Sequence, residues 1–344
     1  MRRKIFIFAA IFVLAIICSG LISPLTVAAQ NKKVYRWRMP TFLPPGGDMY
    51  MLMQQFCDDV KKASDGRLQI TLYGAGQIMP VLQTWEACSR GVMDIVWSFG
   101  AYWTGKTKMA AISVGLPFTT TTMQEHAALL YEEGLEELIR KDYATQGIYL
   151  LRTFPIHHSV MCTKFPVASV DDLKGKKVRA GGMQAETVNA IGMASAFFPV
   201  PEVYGALDTG VVDAVIMGGI AASRQFSFFE VTKYIVQPPI DVACEEILIN
   251  LKRWNNLPED LKAILQACAA KAAYDRASYA AHREVVDLEF MKKEKGIKVA
   301  RLSEEDIARM SSAAMAIYEK YAAESPAFAE ALEMIKAHMK RKAP

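Results

Sequence analysis

Residues 170–219 read VDDLKGKKVRAGGMQAETVNAIGMASAFFPVPEVYGALDTGVVDAVIMGG, and this stretch restricts the fold more tightly than any other. Residues 177–180 predict a short strand, which Gly181-Gly182 turns into a helix ending near Gly192. Residues 196–200 are a second apolar run. Pro201 stands where a helix should begin and Gly210 where it should end, and residues 211–217 predict a third, almost wholly apolar strand. Strands alternating with helices imply a parallel sheet covered on both faces, and such sheets bind ligands beyond the carboxyl ends of their strands. Arg179 stands at one of those ends. A guanidinium beside a glycine turn and a helix N-terminus suits a carboxylate, because two parallel charge-assisted hydrogen bonds add to the helix dipole. A surface arginine paired with Asp171 or Asp172 would give the same pattern, and residue chemistry alone leaves both readings open.

The N-terminus predicts export. Met1-Arg2-Arg3-Lys4 precedes a nearly unbroken apolar run to Ile17, Pro24 interrupts it, and Val27-Ala28-Ala29 supplies a small-residue cleavage site before Gln30. Residues 1–29 are therefore read as a cleaved signal peptide rather than a retained anchor. Cys18 follows Ile17, where a lipoprotein signal needs a small residue. No later segment approaches the ~20 apolar residues that span a bilayer. Losing Arg2, Arg3 and Lys4 takes the formal charge from +4 to +1. That balance, with no basic cluster carrying interleaved aromatics before the terminal Lys340-Arg341-Lys342, gives no reason to expect nucleic acid. Cys57, Cys88, Cys162, Cys244 and Cys268 are scattered without a CxxC pair, so neither a disulfide framework nor a zinc site is indicated; most read as small buried hydrophobes.

Before the key stretch, VYRWRM alternates like a half-buried strand, and a loop over residues 40–47 contains Phe42. An amphipathic helix follows over residues 48–63, then a strand over 68–73, a helix over 81–90 closed by Gly91, and a strand over 92–99. Gly74-Ala75-Gly76 lacks the third glycine of a dinucleotide fingerprint, since position 79 is Met. The loop GAYWTGK places Tyr102 and Trp103 at a strand's carboxyl end, well set to wall a pocket. Residues 123–141 predict a helix and 147–154 a strand leading toward a second domain. Of the adjacent His157 and His158 at its end, at most one should face a pocket. Residues 229–237 and 246–251 read as further strands. Pro258 opens a helix running to Lys293 or beyond, with Leu261, Leu265, Cys268, Ala272 and Tyr279 on its inner face and Gly296 at its end. A pattern of ~35 residues spans ~50 Å, enough to lie across two lobes. Ser303 caps another helix with Asp306 at its third position, and Pro326 opens a last one.

Catalytic signatures do not occur. The sequence holds no GxSxG elbow, HExxH, P-loop or CxxC, and Ser159 beside His158 makes no triad, because adjacent residues rarely face each other. What remains is binding chemistry.

LKGKKVRAGG followed by PVPEVYGALDTGVVDAV resembles the extracytoplasmic solute-binding proteins of tripartite ATP-independent periplasmic (TRAP) transporters, the DctP family. GQIMPVLQTWEACSRGVMDIVWS, GLPF, FFEVTKYI and the long helix after Leu257 follow the family's order over most of the chain after residue 29. The resemblance implies an α/β, two-lobed periplasmic-binding-protein-like fold with a long helix spanning both lobes. Residues 30–155 would begin lobe I and 156–243 form lobe II; 244–285 would return to lobe I with the long helix, and 286–344 would pack mainly on lobe II. It further implies that Arg179 binds the solute's carboxylate. The YWTGK loop and IMPVLQ look closest to the branch that binds 2-oxo acids and related monocarboxylates, where aromatics matching Tyr102 and Trp103 line the site. Phe42, His158, Met217 and Asp241 complete the expected solute-binding set.

Two departures narrow the expectation. Members that bind sialic acid or dicarboxylates carry a second Arg twenty residues before the first, where this chain has Ser159, so a monocarboxylate is expected. The 2-oxo-acid branch holds a metal through a Glu-Trp pair whose positions are Ile216 and Met217 here. No cofactor is therefore expected, and a divalent or sodium ion is not supported at those two positions, although Asp241 could compensate. The expected function is a non-enzymatic periplasmic receptor for an organic monocarboxylate. Its partners would be the small acid and the TRAP membrane subunits, with no nucleic acid, and it would be a monomer or homodimer. An exported sensory protein for the same ligand class, or an exported enzyme acting on small acids, are the alternatives.

Overall fold

Alternation in YRWRMP buries Trp37 and Met39 on one face of β1 (Tyr35–Pro40), and LQITLY buries Leu68, Ile70 and Leu72 in β2 (Leu68–Tyr73). The two strands pair in parallel, Trp37 opposite Ile70. The crossover is the helix Asp48–Ala63, which packs Met49, Met53, Phe56 and Val60 into the same core. β3 (Ile95–Ser98) is buried at every position and bridges to this pair through Thr41 and Trp97. These elements belong to a unit that starts at Tyr35. The computed structural model describes residues 33–198 and 200–342; the expected signal peptide over residues 1–29 lies outside them.

The rest of the chain builds a second, larger sheet. After β4 (Ile148–Thr163) come the short β5 (Lys177–Arg179), β6 (Ala194–Ala196) and β7 (Ala214–Ile216), then β8 (Tyr234–Asn250) and β9 (Lys298–Arg301). Their order is β3-β8-β4-β7-β5-β6, with β9 added on β8. The parallel pairing expected of residues 170–219 forms, with β5 parallel to β6 and to β7, and β9 is parallel to β8, but it does not extend through the whole sheet. The frame is antiparallel, because β4 runs against both β7 and β8.

Two long strands replace what the pattern divides into fragments. β4 continues from the expected residues 147–154 through Pro155, His157, His158 and Ser159 to Thr163, and β8 joins two separate apolar runs across Pro238, Pro239 and Asp241. The register between them shifts at Leu150/Arg152, Pro155/His157 and Ser159/Met161. Prolines and polar residues are tolerated there because the ladder is already irregular. The helix expected over residues 123–141 is also split, into Met123–Tyr131 and Leu135–Thr145, by Gly134 in a left-handed conformation at φ 90°.

The long helix forms as expected, Glu259–Lys295, stopped by Gly296 at φ 65°. Its 37 residues join two separate cores. Leu261, Leu265 and Ala272 pack with Trp37 and Phe56, whereas Met291 packs with Val160, Val215 and Phe228. The C-terminal helices divide between partners, contrary to the expectation that both lie mainly with the 156–243 segment. Glu304–Glu324 rests partly on Gly182–Ala190, but Pro326–Lys342 buries Phe328, Leu332 and Ile335 against the cluster of Trp85, Leu129, Ile139 and Tyr143. The apolar stripe of that last helix decides its place. All five cysteines in the described part are free thiols and buried.

Candidate functional site

The key stretch folds so that Arg179 ends β5 and Gly181 precedes the helix Gly182–Ala190. A Cβ at Gly181 would meet the Phe197 ring at 2.9 Å, so any larger residue would have to displace that ring from the cavity wall. The Arg179 side chain is 5% exposed. It donates to the Phe198 carbonyl through Nε at 3.4 Å and Nη2 at 3.1 Å, and its guanidinium carbon lies 4.7 Å from the centre of the Phe197 ring. Among the described residues no carboxylate pairs with it. Burial pulls its pKa down, and Tyr102 partly offsets that. The surface-pair alternative with Asp171 fails: Asp171 pairs with Arg309 and Lys174 instead.

Arg179 faces a cavity of about 820 Å³, counting the part open to solvent. Phe42, Phe99, Tyr102, Phe197 and Phe226 form much of its wall, and Gly115, His157, Gln184, Met217, Asp241, Glu245 and Arg276 complete its polar and close-packed parts. Tyr102 is the hub of the aromatic wall, with ring centres of Phe42, Phe99 and Phe197 5.9–6.1 Å from it or from one another. Gly115, at φ 93°, lets the chain pass Val242, whose carbonyl oxygen would sit 2.2 Å from any Cβ.

The structure brings Arg179, Tyr102, Phe42, Met217 and Asp241 to this cavity and leaves two expected residues outside it. Trp103 is fully buried in the neighbouring core, its Nε1 donating to Ser98 Oγ at 2.9 Å and its ring 5.7 Å from Trp85. A tight turn points consecutive aromatics to opposite sides, and only Tyr102 looks into the cavity. His158 turns away from it toward the long helix, with Nδ1 3.0 Å from Glu284 Oε2, which raises its pKa. His157 faces the cavity instead. Burial, Arg276 and His158 hold that imidazole low, at about 3, so it is neutral.

Deeper in the cavity, Gln184 Nε2 donates to Asp241 Oδ2 at 2.8 Å and to Ser159 Oγ at 3.2 Å. Asp241 is 3% exposed, and burial raises its carboxyl to about 6. Arg276 and Glu245 form a buried ion pair that Trp97 Nε1 supports at 2.6 Å. Gln184, Phe197, Glu245 and Arg276 were not anticipated. Arg276 had a signal in the sequence: it follows Ala272 by four on the inner face of the long helix, and a charge in an apolar stripe needs a partner. Gln184 had none, because a glutamine in a first helical turn is ordinary.

Residues 41–325 match the family model described as DctP, bacterial extracellular solute-binding protein, family 7. The chain belongs to this family. Its members are periplasmic solute-binding proteins that work with TRAP membrane subunits. A monocarboxylate 2-oxoacid-binding periplasmic protein of Nostoc sp. is 26% identical over 320 residues, covering 89% of this chain and 84% of that one. An ectoine-binding periplasmic protein of Halomonas elongata is 25% identical over 293 residues, covering 83% and 84%. Among solved structures, a TRAP periplasmic solute-binding protein from Pseudoalteromonas atlantica with bound sodium and pyruvate superposes with a TM-score of 0.83 at 26% identity, covering 90% of this chain and 95% of that one. One from Colwellia psychrerythraea, with calcium and pyruvate, gives the same TM-score, identity and coverage. The mixed α/β fold is therefore the two-lobed fold of these receptors. No helix in the described part is long and apolar enough to cross a membrane.

Proposed function

We propose that this DctP-family receptor captures an organic monocarboxylate in the aromatic cavity, with Arg179 holding the carboxylate, and presents it to TRAP membrane subunits. The observation that carries this reading is a buried guanidinium facing a cavity, with no carboxylate among the described residues paired with it. A desolvated cation in that state favours an anionic guest, and a carboxylate can meet it through two parallel hydrogen bonds. Such charge-assisted bonds contribute about 1.5–3 kcal/mol net. The pyruvate-bound relatives support the ligand class. Ser159, buried behind Gln184, supplies no second cation, which favours one carboxylate over two.

This reading divides the lobes at residues 155/156 and 243/244, where Pro155 lies opposite Cys244 and His157 opposite Ala243 in the antiparallel pair β4 and β8. Phe42 and Tyr102 then lie on one lobe, Arg179, Phe197 and Met217 on the other, so closure would bury the solute between them. In this reading the chain catalyses nothing, and residues 1–29 direct its export.

A thermal-shift screen of aliphatic, aromatic, 2-oxo and 2-hydroxy acids tests the proposal. A ligand at one hundred times its Kd stabilises the native state by about 2.7 kcal/mol. Monocarboxylates should raise the melting temperature. Stabilisation by dicarboxylates alone, or by no acid, would refute it.

A further inference from the structure

Asp241 is the second unexplained charge in the cavity. Its Oδ2 accepts from Gln184, while Oδ1 is buried with no hydrogen-bond partner among the described residues. The cations around it already have partners: Arg276 pairs with Glu245, His158, whose charge acts on Asp241, pairs with Glu284, and Arg179 donates to the Phe198 carbonyl. An orphaned acceptor of this kind is costly to keep and usually marks a missing partner.

A metal ion is one such partner, since the pyruvate-bound relatives contain sodium or calcium. A calcium-like cation takes six to eight oxygen ligands. The residues here do not fit that need. Ile216 is fully buried hydrocarbon within the core of Val178 and Met161, and Met217 offers only a thioether. Gln184 turns its amide N–H, rather than its oxygen, toward Asp241 and Ser159. Among the described residues no group of three His, Cys, Asp or Glu could hold an ion.

We infer that Asp241, oriented by Gln184, accepts a hydrogen bond directly from the solute, which therefore carries a hydroxyl or ammonium donor on the carbon next to its carboxylate. The connectivity brings Asp241 to the anchor. Gln184 lies in the first turn of the helix that follows Arg179 across one glycine turn, and it holds Asp241 Oδ2 of β8 at 2.8 Å, so the acceptor is kept beside the strand-to-helix junction that carries Arg179, in the one cavity that both residues line. A 2-oxo group, which has no donor, would set its oxygen against the Asp241 carboxylate. The inference rests on the monocarboxylate reading and narrows it to 2-hydroxy or 2-amino acids.

Two matched series test it by calorimetry on the purified, chelator-treated protein in potassium buffer at pH 7.5. One is lactate, alanine, pyruvate and propionate; the other is 3-phenyllactate, phenylalanine, phenylpyruvate and 3-phenylpropionate. Within a series only the group on carbon 2 changes, and the two lengths ask how much of the aromatic wall is used. In whichever series binds, the hydroxy or amino acid should bind on the order of ten- to a hundredfold tighter than the unsubstituted acid. The hydroxy and amino arms identify which donor is accepted. The 2-oxo acid should gain nothing, and added sodium or calcium should change each Kd less than threefold. In D241A the preference for the donor should collapse to within threefold; should that variant not fold, the wild-type ratios alone decide. Equal affinities across a series, or a 2-oxo acid bound tightest with a dependence on sodium or calcium, would overturn the inference and leave the monocarboxylate reading standing. Failure of all eight acids to bind would overturn both.

Discussion

Replacing Arg179 by Met should move binding and stability in opposite directions, a combination that a purely structural arginine cannot give. The side chain is 5% exposed, makes two hydrogen bonds to one carbonyl, and has no counter-charge among the described residues. In the unliganded protein, R179M removes a desolvated charge at the expense of leaving the Phe198 carbonyl short of a donor, a loss of about 1 kcal/mol. Relief of the unpaired charge is of the same order or larger. The unliganded variant should therefore be as stable as the wild type or up to about 2 kcal/mol more stable. Binding should suffer by the worth of a charge-assisted pair, about 1.5–3 kcal/mol, or roughly 10- to 150-fold in Kd. Arg179→Lys should fall between, because it keeps a charge but loses the planar fork. Urea unfolding without ligand and calorimetry with the best monocarboxylate measure the two quantities separately. Wild-type affinity in R179M, or a loss of more than about 2 kcal/mol in the unliganded protein, would show that Arg179 braces the fold and that the carboxylate binds elsewhere.

Two further outcomes follow from buried charges. His126 is buried, with Nδ1 2.9 Å from Thr120 Oγ1, and burial lowers its pKa from 6.5 to about 4. The folded state thus binds this proton less readily than the unfolded chain, so stability is full above pH 6.5 and falls as pH drops toward 4. Between pH 7 and 4.5 this one group should remove about 2 kcal/mol, and H126N should lose correspondingly less in urea melts over the same interval; equal losses would disprove the linkage. In E245Q the guanidinium of Arg276, 2% exposed, would lose the one carboxylate that pairs with it among the described residues. A destabilisation of about 3–5 kcal/mol is expected by urea unfolding, and a change under 1 kcal/mol would mean that the pair is not held dry.

The place of Arg179 and the long helix were legible in the sequence because both depend on local order. A strand, two glycines and a helix start put Arg179 at a strand's carboxyl end whatever surrounds it, and a stripe of Leu261, Leu265 and Ala272 between Pro258 and Gly296 can form little other than a helix. Family motifs also sit in these local segments, which is why the resemblance fell on them. The strand β4 was only half legible, since its second half carries polar residues that a period-based reading takes for a loop; His157 borders the cavity, while His158 and Ser159 meet Glu284 and Gln184.

Orientation was decided by the tertiary structure. Of two neighbouring aromatics, Tyr102 faces the cavity and Trp103 the core, and of two neighbouring histidines, His157 faces the cavity while Glu284 draws His158 away. No spacing rule settles the choice between the histidines, because it depends on a partner that arrives from far along the chain: Glu284 is 126 residues from His158. The same holds for Asp241, which is buried and held by Gln184 from 57 residues away. The sequence by itself determined that one cation stands at a strand's carboxyl end, since that is a local fact. The tertiary structure alone decided what surrounds that cation, because burial and pairing of charges exist only once the chain has closed around them.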